Sequence, residues 1–273
     1  MTAAEEADGS SRGDSLRGDS PRGVSDFGIY AGVPAGAEAV HVPRPHDPRF
    51  ELAAAIRRLT AATVGANLTD SDVHHATAAL SEIADDLERR AGPGRRRRSQ
   101  PDPAGHPQEF FPTSPVVGFA NPIAPPVVVE SADEGLVGRA WFDYPYEGPP
   151  TCVHGGVIAM VFDEILGAAN IAAGHPGMTG TLTIRYRKPT PLRTALRLEA
   201  RCVDVDGRKI RTQGAIYSEE ALTAEAEGIF IQLVPERFIS MIVRGAEAEG
   251  ADPDEVLEQV RSDAQHLGFR PPD

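Results

Sequence analysis

Two glycines stand directly before the longest apolar segment of the chain, and a histidine precedes them. These residues are His154, Gly155 and Gly156, and the apolar segment extends to Ala173. If this segment is a helix, its first backbone N–H groups lack an internal partner and carry the positive end of the helix dipole. Glycine at such a place lets a ligand approach the backbone closely. The arrangement therefore predicts a site for an oxygen that becomes negative during a reaction, as in an oxyanion hole.

A carboxylate, Asp163, interrupts the same apolar segment. It follows Gly156 by seven residues, nearly two helical turns, so both residues lie on one side of the predicted helix. A charge among apolar residues is costly unless it is paired or used. Asp163 is thus a candidate catalytic carboxylate. The spacing leaves open the structural alternative, a hydrogen-bonded aspartate in a core helix that begins at a glycine-rich turn.

A thiol and an imidazole lie two residues apart at the same place. Cys152 and His154 would share one face of an extended segment. No nearby residue supplies the third group that orients the base, so we do not expect a cysteine nucleophile. Cys202 is the other cysteine, and two are too few for a disulfide scaffold or a zinc-type pair.

Strand-like segments flank the apolar segment and must position these residues. Alternation of apolar and polar residues, as in Leu182, Thr183 and Ile184, predicts strands, and Asp206-Gly207 predicts a hairpin turn. The predicted strands are 127–130, 135–142, 179–188, 195–204, 209–218 and 221–233, with helices at 155–173 and about 253–267. Two strands, a buried helix and a four-strand meander predict an α+β domain in which one antiparallel sheet wraps around a helix.

The rest of the chain divides by composition. Residues 1–48 repeat Arg-Gly-Asp-Ser and have few large apolar side chains, which predicts a disordered tail. Residues 49–92 are predicted to form a helical hairpin that packs on the main domain or on a partner chain. Residues 93–126 are proline-rich and contain four arginines at 95–98, which predicts an extended linker. We assign 127–235 to the α+β domain and 236–273 to a partly helical C-terminal extension.

The apolar stripe of the second hairpin helix consists of Val73, Ala76, Leu80, Ile83 and Leu87.

Charge and targeting patterns limit the class of partner. The formal net charge of -13 argues against a protein that binds nucleic acid or an anionic membrane surface. The first residues lack an apolar core, so no secretory signal is predicted, and we find no apolar run of the length that spans a membrane. We therefore expect a cytoplasmic protein with no nucleic-acid or membrane partner.

The second half of the chain resembles a known family. The run from His154 to Asp163, His-Gly-Gly-Val-Ile-Ala-Met-Val-Phe-Asp, resembles the active-site segment of hotdog-fold acyl-CoA thioesterases. The most similar branches are the phenylacetate-pathway (PaaI-type) enzymes and the human-type thioesterase superfamily members. The resemblance continues through residues 178–186, 188–189, 206–209 and 226–230, and it covers roughly residues 115–235. It implies a hotdog fold, an antiparallel sheet wrapped round a long central helix, with an N-terminal helical extension.

By position in the family motif, the resemblance implies hydrolysis of acyl-CoA thioesters without a metal or cofactor. The backbone N–H of Gly155, joined by that of Gly156, would polarise the thioester carbonyl. Asp163 would act as nucleophile or as general base for water, and Thr179 would orient it. His154 would position the substrate or the turn. The resemblance also implies a homodimer or homotetramer in which the active site lies between two protomers.

The phosphates of coenzyme A need cations, and basic residues of the sheet are the candidates. Arginines on strands also cover exposed sheet faces, so each residue has a structural alternative. The arginines at 95–98 are a more remote candidate. The candidates on the sheet are Arg185, Arg187, Lys188, Arg208 and Lys209.

Two other functions stay open at this point. A hotdog dehydratase or hydratase also acts on acyl thioesters, through a histidine and a carboxylate that abstract a proton. The nine-residue spacing of His154 and Asp163, with no proline-marked loop between them, disfavours it. A non-catalytic acyl-CoA-binding module is the other alternative. The intact set of His154, Gly155, Gly156, Asp163 and Thr179 disfavours it.

Overall fold

The computed structural model describes residues 48–91, 112–125, 127–248, 250 and 252–258. The predicted tail up to residue 47 and the arginines at 95–98 lie outside these ranges. Residues 253–258 are helical, at the start of the predicted C-terminal helix. The helices are α1 (Pro48–Gly65), α2 (Asp70–Arg90), α3 (Gly155–Ala172) and α4 (Pro235–Ala248). The strands are β1 (Val127–Ala132), β2 (Gly135–Ala140), β3 (Gly177–Tyr186), β4 (Leu196–Asp206), β5 (Lys209–Ser218) and β6 (Ala221–Gln232).

The six strands form one antiparallel sheet in the order β1-β2-β4-β5-β6-β3. This confirms the predicted α+β architecture, with one sheet on a long helix. The predicted four-strand meander is wrong for β3, which pairs with β6 instead of β4. The connection from β3 to β4 contains Pro189 and Pro191, and it binds the loop before α3 through Val153 N–H, which donates to the Thr190 carbonyl at 2.8 Å. The chain therefore crosses to the far side of β5 and β6, and β3 becomes an edge strand of the described sheet.

Helix α3 is the core element, as its sequence predicts. Its buried side chains include Val161, Phe162, Ile165 and Leu166, and they face the sheet. A Cβ atom on Gly214 of β5 would lie 3.0 Å from Leu166 Cδ2, so glycine there lets the helix approach the strand closely. By length and composition alone α3 could cross a membrane, which we did not expect from the sequence. Its packing on the sheet accounts for that apolar character.

The segment 112–125 belongs to the folded domain, so the predicted linker is wrong over this stretch. It forms turns whose Val116 and Val117 are buried in the core of the sheet and α3. The many prolines prevent regular structure but not burial, because turns satisfy the remaining backbone groups: Ala120 N–H, for example, donates to the Pro112 carbonyl at 2.8 Å. Helix α1 packs on this segment, where Phe50 contacts Phe119 edge-on with ring centroids 5.8 Å apart.

The two N-terminal helices differ in burial. Helix α1 buries Phe50, Ala53 and Ala54, whereas α2 has no buried residue. Four of the five residues of the apolar stripe that the sequence predicts to be covered are exposed, and Ala76 is half-buried. At the other end of the chain, α4 is a helix that the sequence analysis missed, because its residues fall in the assigned C-terminal extension where only a later helix was expected.

Candidate active site

The loop before α3 is held by its own backbone. Gly148 N–H donates to the Cys152 carbonyl at 2.9 Å, and His154 N–H donates to the Tyr146 carbonyl at 2.9 Å. A Cβ atom on Gly148 would lie 2.7 Å from His154 Cα, so only glycine fits beside the histidine backbone. The sequence analysis missed Gly148. In the sequence it is a single glycine six residues before His154, and such glycines are too common in loops to indicate a functional role.

His154 caps the N-terminus of α3 with its side chain. Its Nδ1 accepts a hydrogen bond of 2.9 Å from Gly156 N–H. An imidazole nitrogen that accepts carries no proton, so the neutral ring carries its proton on Nε2. In this structure the Gly156 N–H is thus bound to His154, whereas the sequence interpretation assigned it as a second donor to the oxyanion. His154 positions the turn, as the sequence interpretation allowed.

The N–H of Gly155 is the donor that stays available. Within the described residues it makes no hydrogen bond, in contrast to the neighbouring Gly156 N–H. Tyr186, at the end of β3, fixes this residue by donating from its hydroxyl to the Gly155 carbonyl at 2.9 Å. The sequence analysis identified Tyr186 only as part of a strand. Its hydroxyl had no sequence signal that could link it to a glycine 31 residues earlier.

Asp163 and Thr179 are brought together as the family motif implies. The Thr179 hydroxyl donates to Asp163 Oδ1 at 2.6 Å, across the gap between α3 and the start of β3. A β-bulge between Thr179 and Thr181 shifts the register of β3 against β6 at this point. Both side chains are exposed. The carboxylate is thus oriented by one hydroxyl and open on its other side.

Gly155 and Asp163 of one chain do not meet at one point. They lie eight residues apart on α3, which is about 12 Å along the helix axis. One carbonyl group cannot contact a backbone N–H and a carboxylate separated by that distance. Each end of β3 therefore carries one half of the predicted site: Thr179 with Asp163 at the start, and Tyr186 with Gly155 at the end.

The residue after Asp163 is a second carboxylate with a structural contact. Glu164 Oε1 accepts a hydrogen bond of 2.8 Å from the Ser114 hydroxyl. Burial raises the pKa of Glu164, the Ser114 hydrogen bond opposes that rise, and the nearby charge of Asp163 adds to it. The Ser114 hydroxyl also accepts from the backbone N–H groups of Val116 and Val117. Glu164 thus ties the 112–125 segment to α3.

The five predicted phosphate-binding cations are exposed and form two groups. Arg185 and Arg187 both form ion pairs with Glu225, the second at 2.6 Å. Their contacts within one chain therefore fit the structural alternative, in which strand arginines cover an exposed face of the sheet. Lys188 follows them in the chain. Arg208 and Lys209 lie at the β4–β5 turn, where Arg208 donates to the Gln232 carbonyl at 3.3 Å. Within one chain the two groups lie at opposite ends of β3.

The described residues contain no group of three or more His, Cys, Asp or Glu side chains that could hold a metal ion. The candidate groups described above are one oriented carboxylate, Asp163, and one free backbone donor, the Gly155 N–H. A carboxylate can attack a carbonyl carbon or activate water against it, and a backbone donor can stabilise the carbonyl oxygen.

A family model and a solved structure that match this chain both belong to the thioesterase superfamily. A family model described as the thioesterase superfamily matches residues 151–225. The structure is similar to a crystal structure of a thioesterase superfamily protein, with a TM-score of 0.63 and 34% sequence identity, over 71% of this chain and 95% of that one.

Two curated relatives match part of the chain. Acyl-coenzyme A thioesterase THEM4 of Xenopus laevis is 37% identical over 94 residues, 33% of this chain and 42% of the relative. The mouse protein of the same name is 38% identical over 93 residues, 33% of this chain and 40% of the relative. The chain therefore spans less than half the length of these two relatives.

Proposed function

The chain belongs to the thioesterase superfamily, and from this premise we propose that it hydrolyses acyl-CoA thioesters to a free acid and coenzyme A. The observation that carries the proposal is the 2.6 Å hydrogen bond from the Thr179 hydroxyl to Asp163. It leaves one carboxylate oxygen oriented toward open space at the N-terminal half of the core helix. The relatives named above as acyl-coenzyme A thioesterases support the same substrate class.

In the proposed reaction, Asp163 attacks the thioester carbon or takes a proton from the water that attacks it. The carbonyl oxygen becomes negative and is stabilised by the free N–H of Gly155. The C–S bond then breaks, and the coenzyme A thiolate takes up a proton as it leaves. Where Asp163 itself attacks, this step leaves an acyl-aspartyl anhydride, which water hydrolyses to the free acid and the regenerated carboxylate. With water as the other reactant, the products are the carboxylic acid and the free thiol. No step needs a metal or cofactor.

The site is proposed to form between two copies of the chain. Strand β3 is an edge of the described sheet, and its unpaired backbone groups can accept another strand. Antiparallel pairing of two β3 strands about a two-fold axis near Leu182 and Thr183 sets Thr179 opposite Tyr186 of the second copy. Because Thr179 binds Asp163 and Tyr186 binds Gly155, this pairing supplies the half-site that one chain lacks.

The same pairing places the cations where a coenzyme can use them. Arg208 and Lys209 lie beside the start of β3, since Lys209 pairs with Ile231 and Ile231 with Met178. The second copy would bring Arg187 and Lys188 to that end. A rim of basic residues from both chains then faces the phosphates of coenzyme A. This explains why two groups that are separate in one chain serve one ligand.

The test is thiol release from a panel of short, aromatic and long acyl-CoAs, measured for the wild type and for Asp163→Ala. We expect release that varies with the acyl group and that is lost in Asp163→Ala. Glu164→Gln is the matched control, because it changes the next carboxylate of the same helix, which binds Ser114 instead of Thr179. Normal turnover by Asp163→Ala, with both variants folded, would contradict the proposal.

A further inference from the structure

Helix α2 is well formed, but the described part of the chain buries none of its residues. Thr69 caps its N-terminus in a reciprocal pair with Asp72, and the helix continues for 21 residues without a buried residue. Most of the stability of a helix in a protein comes from packing of its apolar face. The state of α2 in this single chain therefore lacks the contact that would hold it.

The apolar residues of α2 form one narrow, exposed row, here called the α2 stripe. Val73 is 46%, Leu80 38%, Ile83 54% and Leu87 46% exposed, and Ala76 is half-buried between them. Their spacing of three, four, three and four residues is that of positions a and d in a heptad. A row restricted to a and d is the seam of a two-helix coiled coil, narrower than the face that a helix buries in a globular core. The stripe is therefore shaped for another helix.

We propose that the α2 stripe pairs with the α2 stripe of a second copy of this chain, with the two helices running antiparallel. Self-pairing uses one surface on both copies, which a two-fold axis requires. The pairing does not depend on the reaction proposed above, because α2 carries none of the residues of that site.

The charges of α2 select the antiparallel direction. Its first turn carries Asp70 and Asp72, and its last turn carries Arg89 and Arg90. Antiparallel helices set each acidic first turn beside Arg89 and Arg90 of the other copy, and their dipoles also oppose. Parallel helices would instead bring the aspartates of the two first turns together, far from these arginines. The antiparallel direction therefore separates the two acidic first turns and gives each of them arginines whose contact within one copy is Asp86.

The side-chain sizes select a register. With Leu80 opposite Ile83 of the second copy, Ala76 lies opposite Leu87, so that a small residue faces a large one on either side of the axis. The same register places Arg90 of one copy beside Val73 and Asp72 of the other copy. The two Leu80–Ile83 contacts then form the centre of the seam, and a small residue faces a large one at each Ala76–Leu87 contact, which fits close packing between two helices.

Chemical cross-linking of single-cysteine replacements tests this pairing. In the proposed register, the two copies of residue 80 lie about 4–5 Å apart along the axis, and those of residue 87 about 16 Å apart. With a short bifunctional thiol reagent, Leu80→Cys and Ile83→Cys should each give a covalent dimer. Leu87→Cys should give little, and wild type reports the background from Cys152 and Cys202.

Ser81→Cys is the matched control, because it lies at the same height on the helix but outside the stripe. A yield for Leu80→Cys and Ile83→Cys no higher than for Ser81→Cys, in protein with wild-type far-ultraviolet circular dichroism, would overturn the proposal. Cover by residues outside the described ranges, or by another protein, would give that result. A Leu87→Cys yield equal to that of Leu80→Cys would overturn the antiparallel direction. None of these results depends on whether acyl-CoA is hydrolysed.

Discussion

Replacement of Thr179 by valine removes one hydroxyl and keeps the shape of the side chain. In the structure that hydroxyl donates to Asp163 Oδ1 at 2.6 Å, the one hydrogen bond to this carboxylate among the described residues. Valine is also a good strand residue, so β3 should keep its pairing with β6. The change therefore tests orientation of the carboxylate and little else.

The expected magnitude follows from the type of hydrogen bond. A hydrogen bond to a charged group contributes about 1.5–3 kcal/mol. If the transition state uses the full interaction, kcat/KM falls about 10- to 150-fold, because each 1.4 kcal/mol is a factor of ten. Thr179→Ser keeps a donor and should recover most of the activity.

The assay is steady-state thiol release from the best acyl-CoA of the panel. Thr183→Val is the matched control, since Thr183 lies on the same strand opposite Glu227, with its side chain on the other face of the sheet. The control should retain activity within about twofold, because the Thr183 hydroxyl makes no hydrogen bond among the described residues and valine keeps the shape and strand preference of the side chain near the proposed axis. Equal rates for Thr179→Val and Thr183→Val would refute the assignment of Thr179 as an orienting residue.

Three further predictions concern residues that hold the loop before α3 and the 112–125 segment in place. Gly148→Ala should lower kcat/KM at least about tenfold, measured by thiol release, because its new Cβ would meet the His154 backbone at 2.7 Å. Glu164→Gln should raise the melting temperature at pH 7. Because the pKa of Glu164 is raised in the folded state, its ionised form costs stability. This cost is complete above the raised pKa and disappears below the ordinary pKa of a glutamate, so the gain should vanish in scans at acidic pH. Arg57→Met should lower the free energy of unfolding by about 1–3 kcal/mol in urea titrations, because Arg57 Nη1 donates to a carbonyl of the 112–125 segment at 3.0 Å.

The elements of the sheet and α3 were predictable from the chain because their patterns are local. Strand alternation and the glycine turn at Asp206-Gly207 depend on neighbours in the sequence, and β4, β5 and β6 follow from them. The place of β3 was not predictable from those patterns. It depends on a proline-containing connection that binds the loop before α3, and such contacts leave no periodic trace.

The candidate site divides in the same way. Gly155, Asp163 and Thr179 could be named from their types and spacing together with a family resemblance. The roles of Tyr186 and Gly148 could not, because each depends on a fold that brings atoms from separate positions of the chain within 3 Å. The hydrogen bond of the Gly156 N–H is local, but it depends on the orientation of the His154 side chain, which residue types and spacing do not give. The burial of 112–125 was missed because proline content indicates irregular backbone without indicating whether it is exposed.

The central claim is that Asp163 of one chain and Gly155 of another form one site, and complementation tests it most directly. Gly155→Pro removes the free N–H at the first helical position, where proline is tolerated. His154, at φ -60° and ψ 134°, has the backbone that a residue before proline needs. Asp163→Ala removes the carboxylate, and each variant alone should be inactive.

Mixed after joint refolding or co-expressed at equal levels, the two variants should recover about a quarter of wild-type thiol release, since half of the dimers are mixed and each has one intact site of two. That result is what the account predicts. No recovery, with mixed dimers verified by differential affinity tags, would contradict it, because Asp163 and Gly155 of different chains would then not contribute to one shared site.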